Sequence, residues 1–299
     1  MKNTVTNIHN LPTLGNIELE HDAEHQAVWA HMTHPARPCI TADLLRDLAR
    51  IQQSIEPMAR HQYESGQDDR LLYQVLVSDL PGVFNLGGDL ALFSRLIEAK
   101  DRETLAKYAK ACIDILYPCS IGYGLPFTTI SLVQGEALGG GFEAALSSQV
   151  LIAERSAKFG FPETLFGLFP GMGAFSFLAR RLSPAQAKRM IASGKVYSAE
   201  ELYQLGLIDL LVPDGQGRQA VYNYMRHQHN RSAGHYGLQQ AMDRVNPVSL
   251  RELFDIAEVW VDAAMQLSPK NLRVMQYLIQ AQERRWGKPS GASRLQGVG

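Results

Sequence analysis

The sequence predicts an α/β fold, because strand-like apolar runs alternate with amphipathic helical stretches through the first two thirds of the chain. Two further observations agree. Strands pass into helices at glycine-rich turns, and beyond residue 180 helix-start signals replace strand signals. With 299 residues, 45% hydrophobic and 20% charged, the chain is long enough to bury a full core.

The elements follow in order. Partly alternating apolar residues between Ile17 and Thr33, among them Val28, Trp29 and Met32, read as one or two strands. From Thr41, Leu44, Leu45, Leu48, Ile51 and Ile55 recur at helical spacing, with Pro57 expected just beyond the helix end. A polar loop then leads into the near-continuous apolar run Leu71 to Val77, the pattern of a strand covered on both faces. The rhythm repeats as helix Arg102 to Leu116, strand Thr129 to Val133, a glycine-rich turn, a helix from about Gly141, and strand Val150 to Ala153. Parallel strands with crossover helices are the expected result. Past residue 180, Ser183, Ser198, Ser249 and Ser268 each stand at an N-cap position, with Glu or Gln three residues on or Pro directly after. The last dozen residues, rich in Gly and Ser, read as a loose tail.

Composition excludes several classes of partner. The formal net charge is -1 and no block of like charge occurs, which argues against nucleic acid or a membrane surface. Met1 to Glu20 lacks a signal-peptide core and no stretch reaches the roughly 20 apolar residues of a membrane span, so a cytoplasmic protein is expected. Cys39, Cys112 and Cys119 show no metal spacing and read as reduced, mostly buried thiols. His21 and His25 are four apart, and His227 and His229 flank a Gln, but neither pair has supporting ligands, so both are expected to be solvated or structural. Dinucleotide fingerprint, P-loop and nucleophilic Ser elbow are all missing, and neither a metal nor a redox cofactor is expected.

Three segments carry chemistry. Gly135-Glu-Ala-Leu-Gly-Gly-Gly-Phe-Glu143 follows an apolar strand and opens a helix, where free N–H groups favour negative charge. Glu143 alone reads most simply as a first-turn acid favoured by the helix dipole. Val83-Phe-Asn-Leu-Gly-Gly-Asp89 repeats the strand-to-helix turn, with Asp89 as an ordinary N-cap. In Phe159-Gly-Phe-Pro-Glu163, followed by Gly167-Leu-Phe-Pro-Gly-Met-Gly173, an acid stands amid apolar and turn residues, a desolvated setting that raises a carboxyl pKa toward neutrality.

Taken together, in this order and spacing, the three segments resemble the crotonase (enoyl-CoA hydratase/isomerase) superfamily, from about Leu72 to Pro213. The resemblance implies a crotonase-like spiral of repeated strand-strand-helix units with a helical C-terminal subdomain, the core at residues 1-213 and the appendage with its tail at 214-299. It implies an oxyanion hole at the amides of Gly88 and Gly140, and catalytic carboxylates at Glu143 and Glu163, with Glu163 taking the C2 proton and Glu143 protonating the departing 3-hydroxyl. Asn85 and Leu86, the segment Leu165 to Ser176, and Val259 to Leu267 ahead of Lys270-Asn-Leu-Arg look more specifically like the bacterial diffusible-signal-factor synthases. That likeness implies a 3-hydroxyacyl chain on acyl carrier protein, or on CoA, dehydrated to a cis-2-enoyl thioester and hydrolysed to a free fatty-acid signal. Alternatives are a generic enoyl-CoA hydratase/isomerase and a catalytically silent scaffold, for instance a signalling receptor partner. A homotrimer-based assembly is expected from the same resemblance.

Phe169, Met172 and Trp260 are candidates for the acyl pocket, with ordinary core packing as the competing reading. Arg155, Lys158, Arg180, Arg181, Lys188 and Arg189 are candidates for a basic mouth that would receive an acidic carrier protein.

Overall fold

The computed structural model describes residues 12–229 and 232–286. Strands β1 (Ile17–Asp22) and β2 (Ala27–Met32) are followed by α1 (Ala42–Glu64), β3 (Tyr73–Ser78), β4 (Val83–Asn85), α2 (Leu90–Glu98) and α3 (Arg102–Ser120). Next come β5 (Thr128–Val133), β6 (Glu136–Leu138), α4 (Gly140–Ser147), β7 (Val150–Glu154), β8 (Lys158–Gly160) and a 3-10 turn at Pro162–Phe166. The chain continues with α5 (Ala174–Leu178), α6 (Pro184–Ser193), β9 (Val196–Ser198), α7 (Ala199–Gln204), β10 (Leu210–Val212), α8 (Gly217–His229), α9 (Ser232–Val245), α10 (Leu250–Met265) and α11 (Pro269–Trp286).

Two sheets result. The larger has six strands in the order β1-β2-β3-β5-β7-β10, parallel except for the β1–β2 hairpin. The smaller has four, β4-β6-β8-β9, of which only β8–β9 is antiparallel. Each turn of the chain therefore adds one strand to the large sheet and one to the small sheet before a helix, as β3-β4-α2, β5-β6-α4, and β7-β8 with its 3-10 turn. This is the crotonase-like spiral. The inner strands β2, β3, β5 and β7 are mostly apolar and buried because both faces of the sheet are covered there, whereas the edge strand β1 carries Glu18, Glu20, His21 and Asp22. Trp29, Val75, Ile130 and Ile152 meet Val221 and Met225 of α8, while Val28, Ala30, Val133 and Leu151 belong to the main core.

Helix starts stand where the serines and threonines put them. Thr41 accepts from Leu44 N at 3.1 Å, and Ser183 and Ser198 form complete capping boxes with Gln186 and Glu201. Ser249 and Ser268 also cap their helices, through Glu252 N and Asn271 N.

Pro57 does not end α1, which runs on to Glu64. Met58, Ala59 and Gln62 continue the buried stripe, and the carbonyl that Pro57 leaves unpaired belongs to exposed Gln53, where water can satisfy it. The region beyond residue 180 is likewise not purely helical: β9 pairs with β8 and β10 with β7. Strands of three residues are too short for a periodicity to show, and neighbouring strands supply their register. Among the described residues no helix is long and apolar enough to cross a membrane. The Gly- and Ser-rich tail lies outside the described residues.

Candidate active site

Parallel pairing of β4 with β6 brings two strand-to-helix turns side by side. Gly87-Gly88 leads from β4 to α2, whose N-cap Asp89 accepts from Leu92 N at 3.1 Å. Gly139-Gly140 leads from β6 to α4. A Cβ built on Gly87 would stand 3.2 Å from Gly140 N, and one built on Gly140 would stand 3.4 Å from Gly88 N. Gly140 is the first residue of α4, so its amide has no acceptor within the helix. Gly88 and Gly140 both line one cavity.

The Gly88 turn is held from several sides. Asn85 Oδ1 accepts from Gly87 N at 2.8 Å, and Ile40 N donates to Gly87 O at 2.7 Å. The buried Tyr108 hydroxyl donates to Ile40 O at 2.6 Å. The Phe93 ring closes over Gly88, where a Cβ would come within 2.6 Å of it. Phe93 in turn meets the edges of Tyr108 and Trp260, with ring centroids 5.0 and 5.2 Å away.

Glu143, in the first turn of α4, is 1% exposed. Its Oε1 accepts from Met172 N at 2.8 Å and Ala174 N at 3.0 Å, amides supplied by the turn that enters α5. Burial pushes its pKa up to about 7, while the two amides favour the anion and oppose the rise. Glu163, on the 3-10 turn, shares the cavity. The residue as a whole is partly exposed, but Oε2 is buried without a hydrogen-bond partner. Burial first, and then the charge of Glu143, push its pKa up to about 8.

The surroundings of the two acids differ: two amide donors favour the anion of Glu143, whereas the unpartnered oxygen of Glu163 and the Glu143 charge beside it favour the protonated form of Glu163. Near neutrality the pair thus comprises one base and one acid facing the same cavity.

Glu163 fits only because of Gly139. That residue has φ +51°, and a Cβ on it would stand 2.3 Å from Glu163 Oε1. Positive φ and lack of space both call for glycine there.

The structure brings Gly88, Gly140, Glu143, Glu163, Met172 and Trp260 to the same cavity. Phe169 is not among its lining residues. Leu168 and Pro170 line it, whereas half-buried Phe169 between them packs on the core. None of the six basic candidates lines it either. Arg155, Arg180 and Arg181 are engaged by Glu200, Glu252 and Asp209 at 2.5, 2.9 and 3.6 Å, while Lys158, Lys188 and Arg189 are exposed. His25 pairs with Asp22 at 3.0 Å and stacks on Tyr222, a structural use of that histidine.

Sequence reasoning missed the amides of Met172 and Ala174, and the Asn85, Ile40 and Tyr108 contacts around the Gly88 turn. Gly171-Met-Gly173 marks a turn, but nothing in it shows where its amides point.

The chain matches the Enoyl-CoA hydratase/isomerase family over residues 59–276. It is 32% identical over 155 residues to the mitochondrial methylglutaconyl-CoA hydratase of Rattus norvegicus, a stretch covering 52% of this chain and 47% of that protein. The human methylglutaconyl-CoA hydratase is 31% identical over 155 residues, covering 52% and 44%. The match thus spans about half the length of these curated relatives. Among solved structures, an enoyl-CoA hydratase/isomerase from Xanthobacter autotrophicus Py2 superposes with TM-score 0.71 at 18% identity, covering 91% of this chain and 96% of that one. Pseudomonas aeruginosa DspI superposes with TM-score 0.59 at 24% identity, covering 93% and 97%. At such identities the structural likeness is one of fold, and the matched sequence carries the assignment: this chain belongs to the enoyl-CoA hydratase/isomerase family.

Proposed function

We propose that this protein dehydrates a 3-hydroxyacyl thioester, carried by acyl carrier protein, to the cis-2-enoyl thioester and then hydrolyses it to a free cis-2-unsaturated fatty acid used as a quorum-sensing signal. The observation that carries the acyl-thioester chemistry is the placement of Glu143 and Glu163 on one cavity with the Gly88 and Gly140 amides. The cis product, the carrier and the hydrolysis rest on the resemblance of Asn85-Leu86, Leu165–Ser176 and Val259–Leu267 to the diffusible-signal-factor synthases.

In this reading the thioester oxygen accepts from Gly88 N and Gly140 N, which stabilise the charge that develops as the C2 proton leaves, at about 3 kcal/mol per donor. Glu163 takes that proton, the C3–O bond breaks, and Glu143 gives its proton to the departing hydroxyl, so water is released. Hydrolysis adds a second water to the thioester carbonyl; a carboxylate takes its proton and the thiol leaves protonated. Elimination by this route begins with the proton on Glu143, the arrangement that the Met172 and Ala174 amides disfavour. Those amides favour instead the arrangement for adding water across the double bond, and by microscopic reversibility elimination uses the same groups in the opposite protonation states.

The test is incubation with a defined 3-hydroxyacyl carrier protein and the matched CoA thioester, with mass spectrometry of all lipid products. Released cis-2-enoic acid, lost by about 100-fold or more in Glu143→Gln and Glu163→Gln, supports the proposal. Reversible hydration of the trans-2-enoyl thioester with no free acid would make this a generic hydratase, and no turnover of any thioester would make it a binding scaffold.

A further inference from the structure

The cavity is longer than the catalytic chemistry needs. On α3 its lining residues are Tyr108, Cys112, Ile115, Leu116 and Cys119, a single stripe at helical spacing, so the cavity follows that helix lengthwise. Tyr108 stands at the Gly88 end, and Cys112 lies within electrostatic reach of Glu143. From Cys112 to Cys119 is seven residues, about 10 Å along the helix at 1.5 Å each.

At its far end the wall changes character. Gln52, Gln74, Cys119 and Thr129 line the cavity there. Gln74 and Thr129 are register partners on β3 and β5 and so share a sheet face. The polar groups are tied together. Tyr123 Oη donates to Gln74 Oε1 at 2.7 Å, Gln52 Nε2 donates to Ile115 O at 2.6 Å and to Cys119 Sγ at 3.4 Å, and Thr129 Oγ1 donates to Cys119 O at 2.8 Å. Together they join α1, α3, β3 and β5.

Tyr123 itself is buried and sits at φ +57°, a left-handed conformation unfavourable for an aromatic residue. The fold keeps that conformation and, with it, the hydroxyl on Gln74. An apolar chain end gains nothing by pressing on these polar atoms, and the network resists displacement because each broken hydrogen bond leaves buried polar groups unpaired.

We infer that Gln74, braced by Tyr123 and flanked by Gln52 and Cys119, is the stop against which the end of the acyl chain rests, and so sets the longest chain this site accepts. The inference rests on the acyl-thioester reading of the site.

The test is binding of saturated straight-chain acyl-CoA thioesters in steps of two carbons, measured by calorimetry, alongside turnover of the matching 2-enoyl-CoA series. Affinity should rise about fourfold per added methylene until the chain reaches the stop, then level or fall. In Gln74→Ala the break should move to longer chains, with the first chain beyond the wild-type break binding about tenfold tighter. Tyr123→Phe, which keeps the ring but frees Gln74, should move the break the same way by less and carries the test if Gln74→Ala does not fold. A break at the wild-type length in the folded variants, or no break in the wild type, overturns the stop. Absence of turnover on every thioester instead overturns the functional reading, while the binding series still reports on the stop.

Discussion

The Glu163 carboxylate rests against the Cα of Gly139, with no space for so much as a methyl group between them. Gly139→Ala would put a Cβ 2.3 Å from Glu163 Oε1 and a side chain on a residue at φ +51°. Glu163 must move away, and the positive φ adds strain of about 1–2 kcal/mol. Turnover should fall at least 100-fold, far more than that loss of stability explains. Thermal unfolding and thioester turnover, measured on the same preparation, check both halves; an active Gly139→Ala would remove Glu163 from the chemistry.

The raised pKa values of the acid pair predict an unusual dependence of stability on pH. Folded Glu143 and Glu163 hold protons up to about 7 and about 8, whereas in the unfolded chain both titrate near 4.5. Between these limits the folded state binds more protons than the unfolded state, so the pair stabilises most below 4.5 and its contribution is lost as pH rises through the folded values. Glu163→Gln abolishes its part. Its melting temperature relative to wild type should therefore rise on going from about pH 5 to about pH 9. A difference constant across that range would mean that Glu163 titrates normally.

Glu163 stands out in the sequence as an acid amid apolar and turn residues, whereas Glu143 alone reads as a first-turn acid and is singled out only through the family resemblance of the three segments. The Ser and Thr caps are legible too, because their pairing is local. What stayed hidden depends on direction in space. The amides of Met172 and Ala174 are like every other backbone amide, and only the folded turn aims them at Glu143. Phe169 lies near the catalytic segments, as Leu168 and Pro170 do, but in an irregular segment no period tells which residue faces the cavity. Gln74 did carry a signal, being the one strongly polar side chain in the apolar run Leu71 to Val77.

Tyr108 lines the cavity, and its hydroxyl braces the Gly88 turn through backbone. Its hydroxyl donates to Ile40 O, and Ile40 N donates to Gly87 O, one residue before the Gly88 amide. Tyr108→Phe keeps the packing on Phe93 and removes only the hydroxyl, at a cost in stability of about 1–2 kcal/mol. On the proposed mechanism the Gly88 donor loosens while the ring in the cavity wall stays, so kcat should fall about tenfold with KM little changed. Parallel loss in both parameters, or none in either, would limit Tyr108 to packing.

Trp260 and Phe169, equal candidates on sequence, should separate cleanly. Trp260 is 2% exposed, edges against Phe93, and lines the cavity, so it serves the core and the channel together. Trp260→Ala should cost about 3–5 kcal/mol in denaturant unfolding. It also removes the support of the Phe93 ring over Gly88, so turnover should drop in the molecules that remain folded. Phe169 is half-buried and outside the cavity lining, and Phe169→Ala should cost about 1–2 kcal/mol while turnover of a medium-length thioester stays within about twofold of wild type. Double replacement of Trp260 and Phe93 should cost less than the sum of the single changes, because each single change already breaks their shared contact. Additive costs would show that the two rings do not support one another, and the link from Trp260 to the Gly88 turn would fall with that result.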